Sequence, residues 1–236
     1  MRKMVDLSPN VSAKPRNLSA IKFVILHYTG MQSEIETLKR LKNPKSKVSC
    51  HYLINRGGKI TQIAKDNRVA WHAGKSKWKN FKNLNKISIG IELENKGHDY
   101  GYQNFTKTQI RQLVTLCINL KKKYRIKREN FLGHSDIAPL RKKDPGKKFP
   151  WKKLSNFNLG GWYKLDKSDG QIKDKKKIAI NFFKNLDKIG YKYFSIYKRK
   201  KRDSLIVKAF QRRYLPNSVS GKIDQKTLKI SYLLNN

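Results

Sequence analysis

The stretch GHSDIAPLRKKDPG at 133–146 sets His134 and Asp144 ten positions apart among two glycines and two prolines. The chain holds only 16 acidic residues and five histidines against 55 Lys and Arg. Two acids and a histidine in one loop are more than a plain turn requires. Imidazole and carboxylate are the donors of a hydrolytic metal site. A zinc ion used for hydrolysis takes three protein ligands and keeps a fourth position for water. His134 and Asp144 supply two ligands, so a third must come from elsewhere. His27, near the end of the apolar run IKFVILHYT (21–29), is the best candidate, because a buried strand end holds a side chain rigidly. The other histidines are His51 at the start of a hairpin, His72 in WHAG and His98 in the polar loop NKGHDYG. Taken singly, each residue also has a plainer reading. A strand-end histidine can be structural, and Asp136 can cap a local turn. Asp144 before Pro-Gly can be turn chemistry, and Glu92 and Glu94 can be a solvated strand face.

Those residues need elements to position them. IKFVILHYT is short, apolar and β-branched, which predicts a buried strand. SEIETLKRLKN (33–43) carries acids early and bases late, as a helix should. HYLINRGGKITQIA (51–64) reads as two strands around Gly57-Gly58. In ISIGIELEN (87–95) Ile87, Ile89, Ile91 and Leu93 face one way, and Ser88, Gly90, Glu92 and Glu94 the other. TKTQIRQLVTLCINLKKKY (106–124) places Ile110, Leu113, Val114, Leu116, Cys117 and Leu120 on one helical stripe. ENFLGH (129–134) predicts a short strand before the loop. The predicted fold class is α/β, a central mixed sheet flanked by helices, followed by a small three-helix domain. The polar stretch 164–177 reads as a linker, and helices are expected at about 176–189, 203–213 and 224–233.

The chain of 236 residues has a net charge of +39 and is 38% hydrophobic, enough for one full domain and a smaller one. No run approaches the roughly 18 apolar residues of a membrane span, and the N-terminus has no apolar signal core. Cys50 and Cys117 are too few and scattered for a disulfide framework and are expected as buried thiols. The positive charge attracts any polyanion, but it runs from end to end rather than forming one patch.

Together, HYT (27–29), WHAG (71–74), SIGIELEN (88–95) and GHSDIAPLRKKDPG (133–146) resemble one family. It is the zinc-dependent N-acetylmuramoyl-L-alanine amidases of the type 2 class, the AmpD- and AmiD-like group sharing a fold with T7 lysozyme and the peptidoglycan recognition proteins. The motifs occur in the family's order, and FPWKKL…LGGWY (149–163) is family-like too. The resemblance implies that His27, His134 and Asp144 bind Zn²⁺, that Glu92 is the catalytic carboxylate and that Lys142 is the catalytic lysine. It places Trp71 and His72 along the substrate groove. The implied reaction cuts the amide between N-acetylmuramic acid and L-alanine in peptidoglycan or muropeptides. LIVKAFQRRYLPNSVSGKIDQKTLKI (205–230) resembles a small peptidoglycan-binding module. The expected organisation is a zinc amidase domain at 1–165, a linker at 166–174 and a helical peptidoglycan-binding domain at 175–236. Two other readings stand beside it: a recognition protein that binds peptidoglycan without cutting it, and a basic nucleic-acid-binding protein. No nucleic-acid motif supports the second. A monomer is expected, in the cytoplasm, with a periplasmic or wall-associated location as the alternative.

Overall fold

The computed structural model describes residues 4–164 and 175–235. The expected linker 166–174 lies outside these residues. The strands are β1 (Met4–Val5), β2 (Phe23–Tyr28), β3 (Tyr52–Ile54), β4 (Ile60–Gln62), β5 (Lys77–Trp78), β6 (Phe81–Lys82), β7 (Ser88–Leu93) and β8 (Phe131–Gly133). β5 and β6 form a separate hairpin, and the others form one sheet in the order β1-β4-β3-β7-β2-β8. β2 runs parallel to both β7 and β8, β3 runs parallel to β7, and β3 and β4 pair antiparallel. The mixed sheet expected from the sequence is therefore present. The Gly57-Gly58 hairpin closes where expected, with Gly58 at φ +87° donating its N–H to the Asn55 carbonyl at 2.9 Å.

The helices are α1 (Glu34–Lys42), α2 (Lys107–Tyr124), α3 (His134–Ile137), α4 (Trp151–Ser155), α5 (Lys175–Ile189), α6 (Ser204–Tyr214) and α7 (Gln225–Leu233). Ser33 caps α1 by accepting from the Glu36 N–H, and Thr106 caps α2 by accepting from the Gln109 N–H. α2 covers one face of the sheet. Its whole expected stripe is buried against Val24, Leu26, Ile89, Ile91 and Leu93. Each fully buried side chain of this kind contributes roughly 1.5–3 kcal/mol.

The opposite face carries Phe23 and Ile25 of β2 and Leu132 of β8. They share one apolar cluster with Trp78 and with Phe182, Phe183, Tyr191, Ile206, Phe210 and Leu228 of the C-terminal region. The three C-terminal helices lie within a residue or so of their expected spans, and they pack on the sheet through a common core. In β7 the alternation marks two buried faces rather than core against solvent. Ser88 and Gly90 are as buried as Ile89, because side chains from the 51–72 segment cover them. Ile87, expected to open this strand, instead closes a 3₁₀ turn at Leu84–Ile87. Cys50 and Cys117 are buried free thiols, as expected.

Candidate active site

The site lies at the carboxyl ends of the parallel strands, where open α/β sheets place their ligand sites. His27 and Glu92 are register partners on β2 and β7, so their side chains leave the same face. His134 follows β8 directly and opens α3. Asp144 comes back to it because the Ser135 N–H donates to the Asp144 carbonyl at 2.9 Å, closing the loop. The Asp144–Pro145 peptide is cis.

Three atoms meet here. His27 Nδ1 lies 3.0 Å from His134 Nδ1 and 2.9 Å from Asp144 Oδ2, and His134 Nδ1 lies 3.0 Å from the same oxygen. All three residues are buried. The hydrogen-bond partners of the outer ring nitrogens assign the tautomers. His134 Nε2 donates to the Ala73 carbonyl at 3.1 Å. His27 Nε2 donates to His72 Nδ1 at 3.1 Å, His72 Nε2 to Ser88 Oγ at 3.3 Å, and the Ser88 hydroxyl to the Leu84 carbonyl at 2.6 Å. The relay from His27 and the His134 bond to Ala73 together leave both inner nitrogens as lone pairs aimed at a carboxylate oxygen. Such a trio repels itself unless a cation sits among the three atoms. Two imidazoles and a carboxylate fit a metal ion.

The electrostatics agree. Burial, helped by the nearby His134, lowers His27 to about 4, so its ring is neutral. Burial also lowers His72, with His27 and His51 adding to the effect. Burial alone would raise Asp144, but its contacts with His134 and His27 hold it well below the usual carboxylate range. Glu92 goes the other way: burial pushes it well up, Asp144 adds to this, and Lys142 opposes it. Glu92 Oε2 is buried with no hydrogen-bond partner among the described residues, so it is available to a reacting group. The charge of Lys142 acts on both Glu92 and His27.

The structure thus gathers His27, His134, Asp144, Glu92 and Lys142. The WHAG pair divides. Trp71 is 37% exposed, and its backbone N–H donates to Ser49 Oγ at 2.9 Å. His72 is 7% exposed and packs beneath His27 rather than along an open groove. Gly90 makes room for it, since a Cβ there would sit 2.4 Å from the His72 ring. Sequence reasoning missed the supports. Asn85 Oδ1 accepts from the backbone N–H groups of His72 and Ala73 at 3.2 and 2.7 Å. Arg141 bonds the carbonyls of Ala73 and Lys75. Linear spacing does not connect residue 85 with 72 or 141 with 73.

Residues 17–147 match the N-acetylmuramoyl-L-alanine amidase family. The chain belongs to that family. The N-acetylmuramoyl-L-alanine amidase AmiD of Escherichia coli is 32% identical over 232 residues, covering 91% of this chain and 82% of AmiD. Among solved structures, E. coli AmiD in complex with the substrate anhydro-N-acetylmuramic acid-L-Ala-D-gamma-Glu-L-Lys superposes with a TM-score of 0.79 at 30% identity. That match covers 94% of this chain and 90% of AmiD. AmpDH3 of Pseudomonas aeruginosa, in complex with anhydromuramic pentapeptide, superposes at 0.80 with 28% identity, covering 95% and 93% of the two chains. The likeness to these two structures therefore takes in the C-terminal helices as well as the sheet, whereas the family match covers residues 17–147. Among the described residues, no helix is long and apolar enough to cross a membrane.

Proposed function

We propose that this amidase-family protein hydrolyses the amide between N-acetylmuramic acid and L-alanine in peptidoglycan or its muropeptides, using zinc. The observation that carries the reading is the convergence of His27 Nδ1, His134 Nδ1 and Asp144 Oδ2 beside the unpartnered carboxylate oxygen of Glu92. A His₂-carboxylate set suits zinc among the available divalent ions. When bound, the ion would acidify water and polarise the scissile carbonyl.

The remaining work falls to the chain's own groups. Glu92 Oε2 accepts a proton from the attacking water and later returns one to the departing amine of L-alanine. A carboxyl pushed up by burial is suited to hold that proton between the two steps. Lys142 stands as a fixed cation against the negative charge that develops on the carbonyl oxygen. Trp71 offers an exposed aromatic face for the substrate. His72 keeps His27 in the tautomer that points its lone pair inward. Helices α5 to α7 are read as the polymer-binding unit, which raises the effective concentration of wall substrate at the site.

The test is digestion of purified peptidoglycan and of soluble muropeptides, followed by mass spectrometry. Free stem peptides beginning at L-alanine are expected with zinc, and none with a chelator or with Glu92→Ala. Intact substrate from zinc-loaded protein would sink the reading and leave a wall-binding protein.

A further inference from the structure

Two adjacent arginines on α6 reach the loop that carries two of the candidate metal ligands. Arg213 is 3% exposed and pairs through Nη1 with Asp136 Oδ2, while its Nη2 donates to the Phe131 carbonyl at 3.1 Å. Its guanidinium lies 3.9 Å from the ring centre of Trp151 on α4. Asp136, two residues beyond His134, is 1% exposed. Its Oδ1 accepts from the Tyr191 hydroxyl at 2.7 Å, and its Oδ2 accepts from the Gly133 N–H at 2.8 Å. Asp136 thus ties the start of α3 to two side chains from beyond residue 175. The neighbouring Arg212, 9% exposed, donates from Nη2 to the Lys142 carbonyl at 3.4 Å. One arginine holds the His134 limb of the loop, and the other touches the limb that leads into Asp144.

A tethering module has no need of such contacts. It works through its linker length and its own affinity for the polymer. Burying a guanidinium and a carboxylate together costs desolvation that good geometry only roughly offsets. The geometry here fixes a segment whose next neighbours are His134 and Gly133.

We propose that Arg213, Tyr191 and Arg212 are positioning residues for the metal site, and that the C-terminal helices are part of its frame. The proposal rests on the metal-site reading given above. Outer groups that orient ligands typically change metal affinity about 10–100-fold when removed. The experiment uses the full chain. Zinc affinity is measured by chelator competition, and the absorption bands of the Co²⁺-substituted protein report ligand geometry. Thermal unfolding checks that each variant is folded.

The paired change Arg213→Met with Asp136→Asn removes both buried charges yet keeps an acceptor for the Gly133 N–H. It is expected to stay folded, to weaken zinc about 10–100-fold and to shift the cobalt bands. Tyr191→Phe, which removes one hydroxyl and no charge, is expected to do the same severalfold less, and it decides the matter if the paired variant fails to fold. Arg213→Lys with Asp136 kept retains a cation for the carboxylate and should lose less zinc affinity than the paired variant. Wild-type zinc affinity and wild-type cobalt bands in the folded variants would overturn the proposal. A wild-type protein that binds neither metal would instead overturn the metal-site reading.

Discussion

His27 shows how much a single ligand depends on its surroundings. Its inner nitrogen is useful to a metal only while the outer one donates, and the outer one donates to His72. Replacing His72 with Phe keeps an aromatic ring but removes the acceptor, so zinc affinity should fall about 10–100-fold, measurable by chelator competition. Gly90→Ala drives a methyl group into the His72 ring, 2.4 Å away. We expect a lower unfolding temperature, from about 1–3 kcal/mol of overpacking, together with weaker zinc binding. Lys142→Met removes a charge that matters most when the carbonyl oxygen becomes negative. It should lower kcat about 10²–10³-fold with little change in KM, read from muropeptide turnover. Glu92 and Lys142 could be named as candidates from the sequence through their motifs. The burial of His72 was not, because WHAG shows no sign that β7 would place a glycine opposite it.

At the scale of elements, the strands and helices that periodicity placed are present, apart from Ile87 at the start of β7, while β1, the β5–β6 hairpin, α3 and α4 are too short to leave a period. What pins them together came from scattered residues. Asp66 joins β3 to the end of α2: it accepts from the Tyr52 hydroxyl at 2.5 Å, from Lys123 Nζ at 3.2 Å and from the Tyr124 hydroxyl. Burial would raise its carboxyl, but the bonds from Tyr124, Tyr52 and Lys123 together hold it below the ordinary value of 3.8. A carboxyl depressed in the folded state stabilises fully above its unfolded pKa and loses that contribution as pH falls toward its folded one. The window therefore opens below about pH 3.8. Asp66→Asn should flatten this acid limb of stability, followed by denaturant unfolding across pH. A change in α2 of the ordinary kind, Leu113→Ala, should cost about 2–5 kcal/mol and leave zinc affinity unchanged, since that helix covers the face away from His27.

For the whole molecule, the apolar cluster shared by the sheet and the C-terminal helices has a direct consequence. A chain ended at residue 164 would expose Phe23, Ile25, Trp78, Leu132 and Ile137, which are all buried now. Such a chain is expected to unfold at a lower temperature and to aggregate, as light scattering during heating would show. The net charge of +39 acts at this same scale. Binding to any anionic matrix should weaken steeply as salt shortens the reach of surface charge, while the buried metal site should keep its zinc affinity.

The sequence by itself determined the family, the mixed sheet and the positions of the long helices, and it named five candidate site residues. It could do so because motif order and hydrophobic period are local properties, written along the chain. The tertiary structure alone decided how those residues are held. It set His72 beneath His27, left Glu92 Oε2 without a partner among the described residues, and brought Arg213 to Asp136 across 77 positions of sequence. Contacts of that separation leave no trace in spacing, because they arise only when two buried faces are pressed into one core.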